Sequence, residues 1–471
     1  MRSAGATITA LVLLVTGAAA AEPLAERLES ALEVRALRGA GVAALVLDAE
    51  GRVLYARTPD RPLIPASNQK ILTAVAALDA LGPTFRFTTE ILADAPPDAQ
   101  GAVGTLYVRG GGDPALTSED LWRLAADLRR QGLRSVREAV VVDDSAFDAQ
   151  RWHPTWGRTS ARAYHAPVGA LTANYGAFSV TVEPMGPVGS AVRAVVDPPL
   201  DFLSLVNRAR TGASRSRSSL RIDRRAVGDR EEVIVRGDLP AGLPPKTHHR
   251  SVLDPARYAG SVLEAQLRAV GIGCGSVVRR GSVPETAHSL LSFEGPPLSD
   301  VVRSFLKYSN NQIGEALVKT LGARATGMPG SWESGAVAVR QALEALGLPV
   351  EGLVWVDGSG LSYENRVTPR LLVAALSTAR DSFDFGPEFE AALPIAAADG
   401  TLQERAEDAG GRVRAKTGLL TRVTSLSGYA ERPDGRRVRF SVIANGYRRS
   451  AREAMDALDG FVAALVRDPS P

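Results

Sequence analysis

Apolar positions recur along this chain at two spacings, and the alternation between them sketches its elements. Pro23 to Arg38 has helical spacing, and Val42 to Leu47 and Arg52 to Arg57 are strand-like runs around Asp48-Ala49-Glu50-Gly51, which predicts a hairpin. Ser67 to Leu81 carries Ile71, Leu72, Val75, Leu78 and Leu81 at helical spacing, starts just after Pro65 and stops at Gly82-Pro83. Near the other end, Arg412 to Lys416, Thr424 to Glu431 and Arg437 to Ala444 predict a three-stranded meander, its last two strands joined at Pro433-Asp434-Gly435. Arg449 to Val466 then predicts a closing helix. Two early strands and three late ones make a five-stranded antiparallel sheet flanked by helices, an α/β (α+β) arrangement in which both ends of the chain fold together. The middle is then an insertion. Gly101 to Val108, a turn at Gly110-Gly111-Gly112-Asp113-Pro114, a helix around Leu121 to Gln131 and a strand over Glu138 to Asp143 predict a small α/β unit. Phe178 to about Leu239 is strand-like, with a basic run from Arg208 through Arg215, Arg217, Arg221, Arg224 and Arg225 that reads as a solvated hairpin face, a polyanion contact being the alternative.

Length and composition narrow this picture. A chain of 471 residues has room for two to four domains, and 45% hydrophobic with 23% charged residues excludes wholesale disorder, a fibre and a polytopic membrane protein. A net charge of +3 predicts no nucleic-acid partner. At the amino terminus, Arg2 precedes the apolar run Ile8 to Val15, then Gly17 and Ala18 to Ala21, the parts of a secretory signal over 1–21; an uncleaved anchor is the alternative. No other stretch is long and apolar enough to cross a bilayer. The expectation is an exported protein, periplasmic or extracellular, with at most peripheral membrane contact. Cys274, the single cysteine, rules out an intrachain disulfide and a cysteine-based metal site.

Three short motifs carry candidate chemistry. Ser67-Asn68-Gln69-Lys70 opens the predicted helix, where a spacing of three sets hydroxyl and amine on one face. A serine hydroxyl attacks only when a neighbour takes its proton, and Lys70 can do so once desolvation and nearby positive charge lower its pKa. Arginine stays protonated at any working pH. With five lysines against 50 arginines, a lysine at this position fits proton transfer. The helix start also offers N–H groups and positive potential for an oxyanion. Ser-x-x-Lys alone says little, because Ser304-Phe305-Leu306-Lys307 also fits; that copy lies mid-way along an amphipathic pattern and reads as packing or surface. The first copy is followed, in order, by the only Ser-x-Asn, Ser309-Asn310-Asn311, and the only Lys-Thr-Gly, Lys416-Thr417-Gly418.

This ordered set resembles the serine penicillin-recognising enzymes. The 242 residues between Ser67 and Ser309 exceed the class A β-lactamase spacing and leave room for a large insertion. Pro65-Ala66, Gly110 to Pro114, Tyr164-His165-Ala166-Pro167, Tyr308 to Asn311, Asp357-Gly358-Ser359-Gly360-Leu361-Ser362 and Asp399-Gly400-Thr401-Leu402 are similar to the D-alanyl-D-alanine carboxypeptidase/endopeptidase family, class C low-molecular-mass penicillin-binding proteins. The resemblance spans nearly all of the mature chain and is weakest from Phe178 to about Leu239. It implies a β-lactamase/transpeptidase-like catalytic domain over 22–92 and 290–471, an inserted α/β domain over 93–177 and 255–289, and a β-rich third domain over 178–254.

The resemblance also implies roles. Ser67 attacks the carbonyl between the last two D-alanines of a peptidoglycan stem peptide, Lys70 takes its proton, and water hydrolyses the acyl-enzyme. Ser309 relays a proton to the leaving amine, and Asn311 bonds the substrate's peptide carbonyl or helps hold Lys70. Lys416 and Thr417 hold the terminal carboxylate, while Ser67 and Leu419, the latter just after Gly418, supply oxyanion N–H groups. β-Lactams acylate the same serine, and no cofactor is implied. One residue departs from the pattern: the family commonly has threonine where this chain has Leu419. The same chemistry in a β-lactamase, or a non-catalytic wall-binding scaffold, are the alternative readings; no motif matches the acidic deacylation residue of class A β-lactamases.

Other polar residues read as structural. His248 and His249, adjacent in a strand, point to opposite faces and lack a third metal ligand. His153 and His165 sit among Trp152, Trp156 and Tyr164 and read as packing. Asp143 and Asp144 end a strand, placed either to reach a substrate side chain or to cap a turn.

Overall fold

The computed structural model describes residues 23–275 and 277–468, so the expected signal over 1–21 lies outside the described residues. In chain order, α1 (Leu24–Leu32), β1 (Gly41–Leu47), β2 (Val53–Arg57) and α2 (Gln69–Leu81) come first, then β3 (Arg86–Ala93), β4 (Ala102–Gly110), α3 (Ser118–Arg130) and β5 (Ser135–Asp143). Six strands follow, β6 (Ala177–Glu183), β7 (Arg193–Asp197), β8 (Leu203–Gly212), β9 (Arg221–Val227), β10 (Arg230–Pro240) and β11 (Lys246–Ser251). Next are α4 (Pro255–Ala269), β12 (Gly273–Cys274), β13 (Val277–Arg280), β14 (His288–Pro297), α5 (Leu298–Tyr308), α6 (Asn311–Thr326), α7 (Trp332–Ala345), α8 (Pro369–Asp381) and α9 (Gly386–Ala392). The chain closes through β15 (Val413–Leu420), β16 (Val423–Glu431), β17 (Arg437–Asn445) and α10 (Ala451–Val466).

The ends of the chain meet in one antiparallel sheet of five strands, ordered β15-β16-β17-β1-β2. Gly41 faces Asn445 and Leu47 faces Arg439, so the first strand is paired along its whole length with the last. α1 and α10 cover one face through Leu28, Leu32, Leu458 and Phe461. α2 lies on the other side, in a core shared with α5, α6, α7 and α8. Its residues from Gln69 to Leu78 are all buried, which its sequence permits because apolar or small side chains occupy nearly every face. Among the described residues no helix is long and apolar enough to cross a membrane.

A second sheet of six strands is mixed. β4 and β5 are parallel, β12 and β13 extend β5 in parallel, and β3 and β14 add antiparallel partners at the other edge. β3 and β14 therefore belong to this inserted sheet, which begins before residue 93 and ends after residue 289. The expected boundaries at 92/93 and 289/290 separate β3 and β14 from β4 and the rest of this sheet, because the sequence reading places no strand at either boundary. Two three-stranded sheets, β8-β10-β9 and β11-β6-β7, fill 177–251. The basic run does not lie on one hairpin: its first part is on β8 and the loop after it, its last part on β9 of the β9–β10 hairpin, with β10 between the two strands, and most of its side chains are exposed. Arg224 bonds the Ser251 hydroxyl (2.9 Å) and Arg225 pairs with Glu232 (2.6 Å), so two of its charges are spent inside this unit.

Candidate active site

Ser67 sits in a single 3-10 turn, Ala66–Asn68, that feeds directly into α2. Ala66 adopts φ +48°, a left-handed backbone that is costly for a residue with a Cβ and that turns the serine toward solvent. Two glycines make room for this turn. A Cβ on Gly360 would lie 1.9 Å from the Ala66 carbonyl, and one on Gly418 would lie 2.8 Å from the Pro65 carbonyl and 3.1 Å from the Ser67 nitrogen. Ser425 Oγ donates to the Pro65 carbonyl (2.6 Å), and the Asn68 amide, oriented with its nitrogen toward β15, donates to the Lys416 carbonyl (2.8 Å). The turn is thus tied to the first two strands of the sheet, β15 and β16, by the residues that flank Ser67.

One turn further, Lys70 is wholly buried and directs its three N–H bonds at three oxygens: Ser67 Oγ (2.9 Å), Asn311 Oδ1 (2.8 Å) and the Ser359 carbonyl (2.7 Å). Burial lowers its pKa to about 7, against the opposing pull of Glu315 and Asp357. A lysine so placed exists as free amine in a substantial fraction near neutrality, with the serine hydroxyl within reach of its lone pair.

Ser309 and Asn311 form a helix–helix corner. Ser309 ends α5 at φ +57°, Asn310 caps α6 by accepting from the Ile313 N–H (3.2 Å), and Asn311 is the first residue of α6, facing back to Lys70. The Asn311 amide is fixed from its other side too, donating to the Tyr164 carbonyl (3.0 Å). The inserted part of the chain therefore sets the orientation of a side chain that also holds Lys70.

β15 lies at the sheet edge, and its outward backbone groups alternate. The Ala415 N–H points away from β16 to the Pro394 carbonyl (2.9 Å). Two-residue periodicity then directs the Thr417 and Leu419 N–H groups to the same open side, where the serine turn lies. Lys416 is fully buried behind the edge, bonded to the Thr417 carbonyl (2.8 Å), and burial together with the charges of Lys70 and Arg405 holds its pKa well below the ordinary lysine value. Thr417 Oγ1 donates to Thr401 Oγ1 (2.8 Å), and the Leu419 side chain stands 48% exposed over the opening.

These elements bound a cleft of about 830 Å³ whose walls include Ser67, Tyr164, Ser309, Asn311, Leu361, Tyr363 and Leu419. Of the residues singled out in the sequence, Ser67, Ser309, Asn311 and Leu419 line it directly. Lys70, Lys416 and Gly418 stand buried immediately behind, with Thr417 nearly so. The second Ser-x-x-Lys copy takes no part: Lys307 bonds the Leu393 carbonyl (2.7 Å) and Asp399 (2.5 Å), tying α5 to the loop before β15. Asp143 accepts from the Ser145 and Val283 N–H groups, and Asp144 pairs with Arg151 and Arg280, so both stay within the fold.

Two buried carboxylates lie near Lys70: Asp357, noted in the sequence only as the start of a family-like stretch and given no role, and Glu315, which no motif marked. Asp357 accepts from the Gly360 N–H (2.8 Å), the Ser362 N–H (2.7 Å), Asn365 Nδ2 (2.8 Å) and Trp156 Nε1 (2.8 Å), which folds the 357–362 stretch into a tight loop. Glu315, four residues beyond Asn311 on α6, accepts from the Gly358 N–H (3.0 Å), the Ser359 N–H (2.8 Å) and Trp332 Nε1 (2.8 Å). Burial, reinforced by Asp357, pushes its pKa upward.

The sequence matches the D-Ala-D-Ala carboxypeptidase 3 (S13) family over residues 24–465. The chain belongs to that family. It is a serine-type D-Ala-D-Ala carboxypeptidase on a mixed α/β, transpeptidase-like fold. It is 38% identical over 444 residues to the D-alanyl-D-alanine carboxypeptidase of Actinomadura sp. R39, covering 90% of this chain and 81% of that one. It is 29% identical to D-alanyl-D-alanine carboxypeptidase DacB of Haemophilus influenzae, covering 82% of this chain and 81% of the relative. The crystal structure of penicillin-binding protein 4 (dacB) from the latter organism superposes with a TM-score of 0.80 at 25% identity, over 93% of this chain and 98% of that one. A peptidoglycan endopeptidase from Bdellovibrio bacteriovorus matches at 15% identity with a TM-score of 0.52, a likeness of fold.

Proposed function

We propose that this member of the S13 family is exported and hydrolyses the terminal D-Ala-D-Ala bond of peptidoglycan stem peptides through an acyl-enzyme on Ser67, and that β-lactams acylate the same oxygen. The observation that carries this reading is the buried Lys70 amine, 2.9 Å from Ser67 Oγ. Lys70 takes the hydroxyl proton as Oγ bonds to the scissile carbonyl carbon, and the N–H groups of Ser67 and Leu419 receive the oxyanion, each worth ~10² to 10³ in rate. The tetrahedral adduct collapses by breaking the C–N bond. The proton held on Lys70 returns through Ser309 to the leaving amine, and water later cleaves the ester. Lys416 and Thr417 receive the terminal carboxylate, which supplies the counter-charge that the buried Lys416 lacks.

Endopeptidase cleavage is the second activity of the same site. A groove of about 720 Å³ shares Tyr164, Ser309 and Asn311 with the cleft and continues past Tyr308 and Asn310 toward Phe178 and His249. It gives a leaving group larger than D-alanine a path beyond Ser309. A β-lactamase is disfavoured by Glu315, one of two acids near the lysine, because it is fully buried and already held by three N–H donors, out of reach of an attacking water in the cleft.

Incubation with a labelled penicillin followed by peptide mass mapping separates the readings. A long-lived adduct on Ser67 is expected. Rapid turnover would make the protein a lactamase, and the absence of any adduct would leave a scaffold. Leu419→Thr restores a hydroxyl at the edge where the substrate carboxylate is placed. A hydrogen bond to a charged group contributes ~1.5 to 3 kcal/mol, so KM for a D-Ala-D-Ala peptide should fall by about 10- to 100-fold while kcat stays near its starting value. Unchanged peptide and penicillin kinetics would remove the carboxylate from that place.

A further inference from the structure

Glu315 has no part in the mechanism above, although it is fully buried and lies two bonded contacts from the general base. Its Oε1 accepts from the Ser359 N–H (2.8 Å), and the carbonyl of that same residue accepts from Lys70 Nζ (2.7 Å). Its Oε2 accepts from the neighbouring Gly358 N–H (3.0 Å) and from Trp332 Nε1 (2.8 Å). Three donors and no acceptor converge on this carboxyl, an arrangement that only an acceptor on both oxygens satisfies. We propose that Glu315 is a positioning residue for acylation: its carboxylate clamps the Gly358 and Ser359 amides so that the Ser359 carbonyl stays on Lys70, and its negative charge governs how readily Lys70 releases its proton.

The charges around this pair come from every element packed on it. Asp357, in the 357–362 loop, adds a second negative charge near Lys70, and Lys416 on β15 adds a positive one. On the far side of Glu315, Lys319 of α6 is fully buried, paired with Asp148 (2.5 Å) and seated 3.8 Å from the centre of the Trp332 ring. That partner leaves little of the Lys319 charge to neutralise Glu315. The groups that touch Lys70 directly, Ser67, Asn311 and the Ser359 carbonyl, are all neutral, so the two carboxylates are its nearest source of negative potential. Without Glu315 the ammonium form loses part of its stabilisation, and Lys70 becomes a weaker base that deprotonates at lower pH.

This inference rests on the acyl-enzyme reading, and the test separates the two. The wild-type enzyme must first form a penicillin adduct on Ser67; without it, the reading itself fails. In Glu315→Gln one oxygen is replaced by an amide NH₂ that meets an N–H donor instead of accepting from it. The second-order acylation rate constant, normalised to the fraction of Ser67 that can be labelled at long times, should fall about tenfold or more. The acid limb of its pH profile should move to lower pH by about half a unit or more. A merely structural role lowers the labelled fraction and the melting temperature but leaves that limb in place, and an unmoved limb overturns the proposal. Glu315→Asp keeps the charge but withdraws it from the amides, so it should slow acylation with the limb unmoved. If the Gln variant does not fold, the Asp variant decides, and a wild-type acylation rate there overturns the clamp.

Discussion

Lys70→Met lowers the rate of Ser67 acylation by about 10² to 10⁴, the range that a positioned general base contributes. Methionine fills a similar volume, so the cavity between Ser67, Asn311 and Ser359 stays occupied, but it offers no lone pair basic enough to take the hydroxyl proton. The wild-type profile carries the complementary signature. With Lys70 at about 7, the free amine predominates above that pH and is titrated away below it, so acylation should drop about tenfold between its alkaline plateau and pH 6. The variant's residual rate should lack this limb. Stopped-flow acylation with a chromogenic β-lactam across pH 5 to about 9 measures both effects, and a Met variant with an intact limb near 7 would assign the proton transfer to another group.

Gly360→Ala should damage the site without touching a side chain that does chemistry. Its φ of +79° already disfavours any residue with a Cβ, and that Cβ would stand 1.9 Å from the Ala66 carbonyl oxygen. Left-handed strain and overpacking each cost ~1 to 3 kcal/mol, so thermal unfolding should reveal a loss of several degrees in Tm. The larger effect is on rate. The contacted carbonyl immediately precedes Ser67, and under the proposed mechanism a displacement of ~1 Å at its oxygen costs on the order of 10². Wild-type acylation in this variant would mean that the turn can shift without moving Ser67. Gly400, which faces the Lys307 carbonyl rather than the serine turn, provides a comparison: its alanine variant should lose stability with a smaller loss of rate.

The sheet that frames the site was legible because period-two patterning, the hairpin turn before Arg52 and the Pro433-Asp434-Gly435 turn all signal strands locally. Ser67, Lys70 and the two later motifs, which the fold brings to one cleft, were legible as an ordered set. Other features needed coordinates. The sequence predicts no strand at β3 or β14, and the sheet they join depends on edges that do not pair until the insertion folds. Glu315 and Lys319 stand four apart on α6, the spacing of a solvent-facing ion pair. Both are instead buried, and each is satisfied from another element, Glu315 by the 357–362 loop and Trp332, Lys319 by Asp148. An acid and a base in a helix whose other positions are almost all apolar or small was the available signal; the preceding Gln312 is buried as well. The Tyr164 carbonyl that orients Asn311 is a backbone group, and no side-chain pattern announces it.

The pairing of the first strand with the last has a consequence for the order in which the enzyme comes alive. The ribosome delivers Ser67 early, yet β15, which closes the cleft beside it, arrives only after the whole insertion has emerged. Until β17 docks beside β1, the nascent polypeptide holds Ser67 and Lys70 without the β15 edge that completes the cleft. Incomplete or prematurely terminated products are thereby inert toward the wall they would otherwise cut.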